Sequence, residues 1–161
     1  MDYVIATREL APQSICSIRD RHAASDLPGF LSGAFGELFG RLELLGVPPA
    51  GHPFVIYHAF GPVDIDAEVC VPTAAAVSAT GRIQSRELPA MTVARTLHVG
   101  PYEELGAAYR ALTEWINHHG LESAGPVQER YLNGPGDRVT PAEYRTEIEI
   151  PIVPTAVAIP A

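Results

Sequence analysis

Positive charge is scarce in this chain: 11 Lys and Arg stand against 19 Asp and Glu, a formal net charge of −8. Such a surface repels a phosphate backbone, so direct nucleic-acid binding is not expected. Long apolar runs are also missing. No stretch approaches the roughly eighteen residues of a membrane span, and Met1-Asp2-Tyr3-Val4 lacks the basic and apolar regions of a secretion signal. A soluble, cytoplasmic protein without membrane contact is therefore expected. The two cysteines, Cys16 and Cys70, fit neither a metal knuckle nor a redox Cys-x-x-Cys pair and read as small buried hydrophobes. The six histidines show no His-x-x-x-His spacing, and neither Gly-x-Ser-x-Gly nor Gly-x-x-x-x-Gly-Lys occurs. No metal, no cofactor, no hydrolase elbow and no phosphate loop are expected.

What the chain does have is a core. Its 161 residues are 47% hydrophobic and 19% charged, the composition of one folded domain able to bury roughly two-thirds of its unfolded surface. Comparison of the chain with itself is more informative. Arg8-Glu9-Leu10 returns as Arg86-Glu87-Leu88, and Ser14 to Ile18 aligns with Thr92 to Thr96, at an offset of 78. Leu31, Ala34, Leu38, Gly46 and Tyr57 align with Leu105, Ala108, Leu112, Gly120 and Tyr131 at 74, and Glu68 to Pro72 aligns with Glu147 to Pro151 at 79. The blocks keep their order and the length changes fall between them, where loops are expected. The chain thus divides into one repeat over about 2–73, a second over about 79–152, and a tail over 153–161.

Each repeat reads as strand, helix, strand, strand. The opening strand is bent by Pro12 or Pro89, which suits an edge or a bulge. In the first helix Ser25 or Asp26 can cap, Pro28 suits the first turn, and Leu31, Phe35, Leu38, Leu42 and Leu45 recur at helical spacing before Gly46. In the second, Pro101 precedes Glu103 and Glu104, which suit the positive end of the helix dipole, and Leu105, Ala108, Leu112 and Ile116 form the buried stripe. Strand pairs over 54–60 with 63–72 and over 127–133 with 142–152 follow. The fold class is α+β: duplicated βαββ units with an antiparallel sheet.

Alternation in the last strand sets Tyr144, Thr146, Ile148, Ile150 and Ile152 on one face and Glu147 and Glu149 on the other. The corresponding strand of the first repeat turns Ile65, Ala67, Val69 and Val71 inward and Glu68 outward. Glu68 and Glu147 thus occupy matching positions on the face without helices. On a generic antiparallel sheet these are solvated charges. The competing reading is a groove between the two halves in which a partly desolvated carboxylate prefers a cationic ligand, with Tyr57 and Tyr131 as aromatic walls contributing roughly 0.5–2 kcal/mol of cation–π attraction each. His98, in His98-Val99-Gly100-Pro101-Tyr102, reads as a satisfied histidine at the strand-to-helix turn.

The duplicated halves, His-x-Gly-Pro-Tyr, Glu129-Arg130-Tyr131-Leu132-Asn133 and Tyr144-Arg145-Thr146-Glu147 together resemble GyrI-like domains, the effector-binding domains of bacterial multidrug-sensing regulators. The resemblance implies a pseudo-twofold arrangement of the two units and a central cleft in which a buried glutamate meets amphipathic cations among aromatic residues, for sensing or sequestration and with it drug or toxin resistance. Glu147 is expected in that role, with Tyr131, Tyr57, Glu68, Tyr102 and Glu129 as further ligand-binding residues. Gln128 stands where many relatives carry an aromatic residue, and Glu149 where an apolar or aromatic one is common. The chain begins at the binding domain without a helix-turn-helix module, so a small molecule is the expected partner; a protein partner such as a topoisomerase is a weaker expectation. The alternative implied by the resemblance is a hydrolase of cyclopropane-bearing genotoxic compounds, with Glu147 as general base and Tyr131 or Tyr109 orienting water.

Overall fold

The computed structural model describes residues 2–155. Its elements run β1 (Ala6–Leu10), β2 (Gln13–His22), α1 (Leu27–Leu45), β3 (Phe54–Phe60), β4 (Ile65–Thr73), β5 (Gln84–Leu88), β6 (Met91–Val99), α2 (Leu105–His118), β7 (Leu121–Ser123), β8 (Val127–Tyr131) and β9 (Arg145–Pro154). The fold is α+β. A single curled antiparallel sheet carries both helices on one face, in the order β1-β6-β9-β8-β3-β4-β2-β5, with β7 added to the end of β9.

The prolines explain the strand order. Pro12 and Pro89 break each opening strand in two, because a residue without an N–H cannot continue a ladder. The first pieces then change partners: β1 pairs with β6, and β5 pairs with β2. Each half thereby completes the edge of the other. At the centre β3 meets β8, with Phe54 opposite Arg130, Val55 opposite Glu129 and Ile56 opposite Gln128. Positions matched at the offset of 74 therefore exchange across this seam, and Val55 and Glu129 face one another on the local pseudo-twofold axis.

Two apolar cores fill the helix-bearing face. Phe30, Ala34, Leu38 and Leu42 of α1 pack on Cys16, Ile18, Val55, Val69 and Val71. The second core sets Leu105, Ala108, Leu112 and Ile116 of α2 against Ala94, Ile148, Ile150 and Ile152. The stripe on α2 is the one read from spacing. On α1 it is rotated: Leu31 and Phe35 are half-buried and Leu45 is 38% exposed, because Phe30 and Ala34 take the sheet side. Asp26 occupies the N-cap position without a side-chain cap bond, while Gly46 closes the helix at φ 68°.

The other face is not bare. Ile15, Phe54, Ile56, Cys70 and Leu88 form a third, smaller apolar cluster there. Both cysteines are buried and unpaired. Strand β9 runs through Val153 and Pro154, which the sequence reading assigned to a tail; β7 pairs with them and gives that end of the strand its ladder. Positions 156–161 lie outside the described residues.

Candidate functional site

Strand register decides which candidate residues meet. In the β8–β9 ladder Glu129 lies opposite Ile148 and Arg130 opposite Glu147. Directly paired residues share a face of the sheet. Glu129 therefore joins Ile148 on the helix-bearing side, together with Val127 and Tyr131, whereas Arg130 and Glu147 point to the other side.

On the helix-bearing side Glu129 is 7% exposed and, among the described residues, forms no ion pair. Its carboxylate is held by two phenols. Tyr109 on α2 donates to Oε2, and Tyr131, two residues along the same strand, donates to Oε1 at 3.0 Å. Tyr57 on β3 adjoins Tyr131. Tyr102, in the single 3-10 turn before α2, meets Tyr131 edge-on at 5.9 Å between centroids and stacks on Tyr144 at 4.9 Å. Phe35 of α1 packs edge-on against Tyr131 at 6.2 Å. Two tyrosines thus hold one carboxylate, and Phe35, Tyr57, Tyr102 and Tyr144 extend the aromatic cluster from Tyr131.

The electrostatics follow from this burial. Desolvation raises the Glu129 carboxyl above its ordinary range, and the two phenolic hydrogen bonds only partly offset it. Tyr102 is pushed up to about 12 by burial and by neighbouring Tyr144 and Glu129. Burial, followed by the Glu129 charge, also raises the hydroxyls of Tyr57, Tyr109 and Tyr131. These phenols stay protonated at neutral pH and act as donors.

The opposite face is electrostatically complete. Glu68, 1% exposed, accepts from Ser17 Oγ at 2.6 Å, His58 Nε2 at 2.8 Å and Arg86 Nε at 3.0 Å. Burial alone would raise its pKa, but the bonds from Arg86, Ser17 and His58 hold it at about 2. His58 reaches Glu68 because the β3–β4 register shifts between Tyr57 and Ala59, which frees it from the ladder. Glu149 is fully buried between Arg95 and Arg130, and Glu147 pairs with Arg95 Nε at 3.0 Å.

The structure therefore separates the expected constellation. Tyr57, Tyr102, Tyr109, Glu129 and Tyr131 come together, whereas Glu147 and Glu68 lie across the sheet from them. The expected placement of Glu147 at the base of a tyrosine-walled cleft is corrected for a simple reason: the register pairs it with Arg130, on the far face, where Arg95 neutralises it. Tyr144 and Phe35 complete the cluster and were not singled out as site residues. The alternation of β9 already turned Tyr144 toward the helices, while Phe35 was read as plain core. His98 is a satisfied histidine: Nδ1 accepts from Tyr3 Oη at 2.8 Å, and Nε2 faces the Pro101 carbonyl at 3.2 Å.

Among the described residues no cluster of His, Cys, Asp or Glu is arranged to hold a metal ion, and no helix is long and apolar enough to cross a membrane. A buried acid among aromatic side chains is the kind of chemistry from which sites for small organic molecules are built. Residues 5–153 match the GyrI-like small molecule binding domain, and the chain belongs to that family. The fold is shared with the EcmrR C-terminal domain, at TM-score 0.82 and 24% identity over 96% of this chain and 100% of that one. It is likewise shared with EcmrR in its DNA complex, at TM-score 0.85 and 24% identity over 95% of this chain, which spans 58% of that chain's length. SAV2435, solved bound to tetraphenylphosphonium, aligns at TM-score 0.65 and 15% identity, with 95% of this chain and 94% of that chain covered. No curated protein matches the sequence.

Proposed function

We propose that this domain binds amphipathic, cationic or aromatic small molecules between its two helices, with Glu129 rather than Glu147 as the central acid. The observation that carries this reading is the Glu129 carboxylate itself: buried and, among the described residues, held by phenols with no cation beside it. Desolvating an unpaired carboxylate costs several kcal/mol, and a ligand cation that pairs with it recovers part of that cost. Tyr57, Tyr102, Tyr109, Tyr131 and Tyr144 offer ring faces, each worth roughly 0.5–2 kcal/mol to a cation placed over it. The apolar rings also favour a hydrophobic ligand body over a small hydrated ion. SAV2435, which shares the fold, is bound to a lipophilic cation of this kind.

Isothermal titration with tetraphenylphosphonium tests the reading. Glu129→Gln keeps the shape and removes the charge, and it is expected to weaken binding by tenfold or more. Glu147→Gln is expected to leave the affinity within about twofold. The reverse order of effects would return Glu147 to the central role.

A second reading rests on the Tyr109–Glu129–Tyr131 arrangement. A carboxyl raised toward neutrality can serve as general base, with the phenols orienting water or supplying a proton to a leaving centre. A Listeria innocua protein described as a hydrolase has the same fold, at TM-score 0.71 and 12% identity over 92% of this chain and 91% of that one. Mass analysis of a cyclopropane-bearing alkylating compound after incubation discriminates the two. Ring-opened product that disappears in Glu129→Gln supports hydrolysis, and unchanged compound leaves binding alone.

A further inference from the structure

The sheet has a second concavity on the side away from the tyrosines. A cavity of about 1070 Å³ lies beneath the two proline kinks, with Ile56, Leu88, Pro89, Met91, Pro126 and Pro151 among its apolar walls. At its floor, one position from Glu129 but on the opposite face, sits Gln128. This amide is 3% exposed, yet its Nε2 donates only to the Met91 thioether sulfur, at 3.6 Å, and its Oε1 accepts nothing among the described residues. Neither polar atom of this amide is sealed from solvent without a partner, so the amide opens into the cavity with hydrogen-bonding capacity left for a bound molecule.

The charged rim gives the site its sign. Glu68 is saturated by Ser17, His58 and Arg86, so it offers no free acceptor to a cation. Arg86 lines the cavity and commits Nε and Nη2 to Glu68, leaving Nη1 without a partner among the described residues. The acidic residue lining the cavity, Glu9, is exposed at its mouth. Guanidinium and amide N–H groups over an apolar floor match an oxyanion joined to a hydrocarbon body.

We propose that this second cavity binds a small amphipathic carboxylate, with Gln128 and Arg86 on the carboxylate and the Ile56, Leu88 and Met91 walls on the chain. The protein then carries two ligand sites of opposite charge preference, back to back across one sheet.

The chain has two methionines, Met1 and Met91, so methyl-13C methionine spectra report on this cavity directly. Titration with octanoate is expected to shift the Met91 methyl saturably and leave Met1 in place. Octanol and octyltrimethylammonium are expected to move it at least tenfold less at equal concentration. Gln128→Leu, which replaces the amide with an apolar side chain of similar size, is expected to weaken octanoate fivefold or more. Ala90→Trp, at an exposed position of the cavity wall, is expected to block it without touching the core. Glu129→Gln is expected to bind octanoate as the parent does, which separates this site from the tyrosine cluster. An unmoved Met91 methyl, an equal response to all three amphiphiles, or undiminished affinity in both Gln128→Leu and Ala90→Trp would overturn the proposal.

Discussion

Glu68 and Glu129 are both buried carboxylates of one sheet, on β4 and β8 with β3 between them, and their surroundings drive them in opposite directions. Glu68 is held at about 2, below the ordinary 4.5, so its contribution to stability is complete above about pH 4.5 and is lost as pH falls toward 2. Glu129 has the reverse sign. Its folded pKa lies above 4.5, so folding favours its protonated form at low pH, and that advantage is lost as pH rises through the raised value. Glu129→Gln is therefore expected to raise Tm at pH 8 and to leave it unchanged near pH 4, as followed by circular dichroism. A Tm at pH 8 equal to or below the parent's would show that the phenols fully compensate the charge. Arginine chemistry underlies the contrast: the chain contains no lysine, so the permanently charged groups that hold Glu68 and Glu149 are guanidinium forks that satisfy two carboxylate lone pairs at once.

At the scale of elements, α1 is longer than its sequence quality warrants. It includes Gly29, Gly33, Gly36 and Gly40, where an added Cβ meets no atom within 4 Å, whereas Gly46 closes the helix with a left-handed φ of 68°. Gly36→Ala is expected to stabilise the fold by about 0.5–1 kcal/mol, and Gly46→Ala to destabilise it by about 1 kcal/mol, in urea unfolding. The Gly46 cap was legible in the sequence, as were the stripe on α2, the proline breaks and the alternation of β9, whereas the α1 stripe came out rotated. The register between strands was not. Alternation within β9 shows that Ile148 and Glu147 face opposite ways, but which of them shares a side with Tyr131 depends on the β8–β9 pairing, a contact between segments joined by a long loop. A slip of one residue exchanges every face. The repeat match of Tyr57 to Tyr131 was legible, but only the β3–β4 register, which sets Tyr57 opposite the inward Ala67, places these tyrosines on the helix-bearing side. The charges of Glu147 and Glu68 looked available only because their arginine partners, Arg95 and Arg86, come from other strands.

The whole molecule is held together by exchange. Strand β1 pairs only with β6 and β5 only with β2, so residues 2–78 and 79–155 each lack an edge that the other supplies. Fragments divided after residue 78 are expected to aggregate when expressed singly, through unpaired strand edges, and to recover the native circular dichroism spectrum when refolded together. A well-folded monomer from either fragment alone would argue against interdependent halves.

The same seam bears on how the site came to hold one charge. Val55 and Glu129 oppose each other on the pseudo-twofold axis, with Cβ atoms roughly 5 Å apart as in any directly paired residues. Were the two halves identical subunits, an acid at this position would arrive in duplicate, and two carboxylates at that distance would share a proton rather than present a clean anion. Joining the halves in one chain lets valine stand where the second acid would be. A single negative charge at a symmetry axis is something a homodimer cannot make, and covalent linkage of unequal halves can.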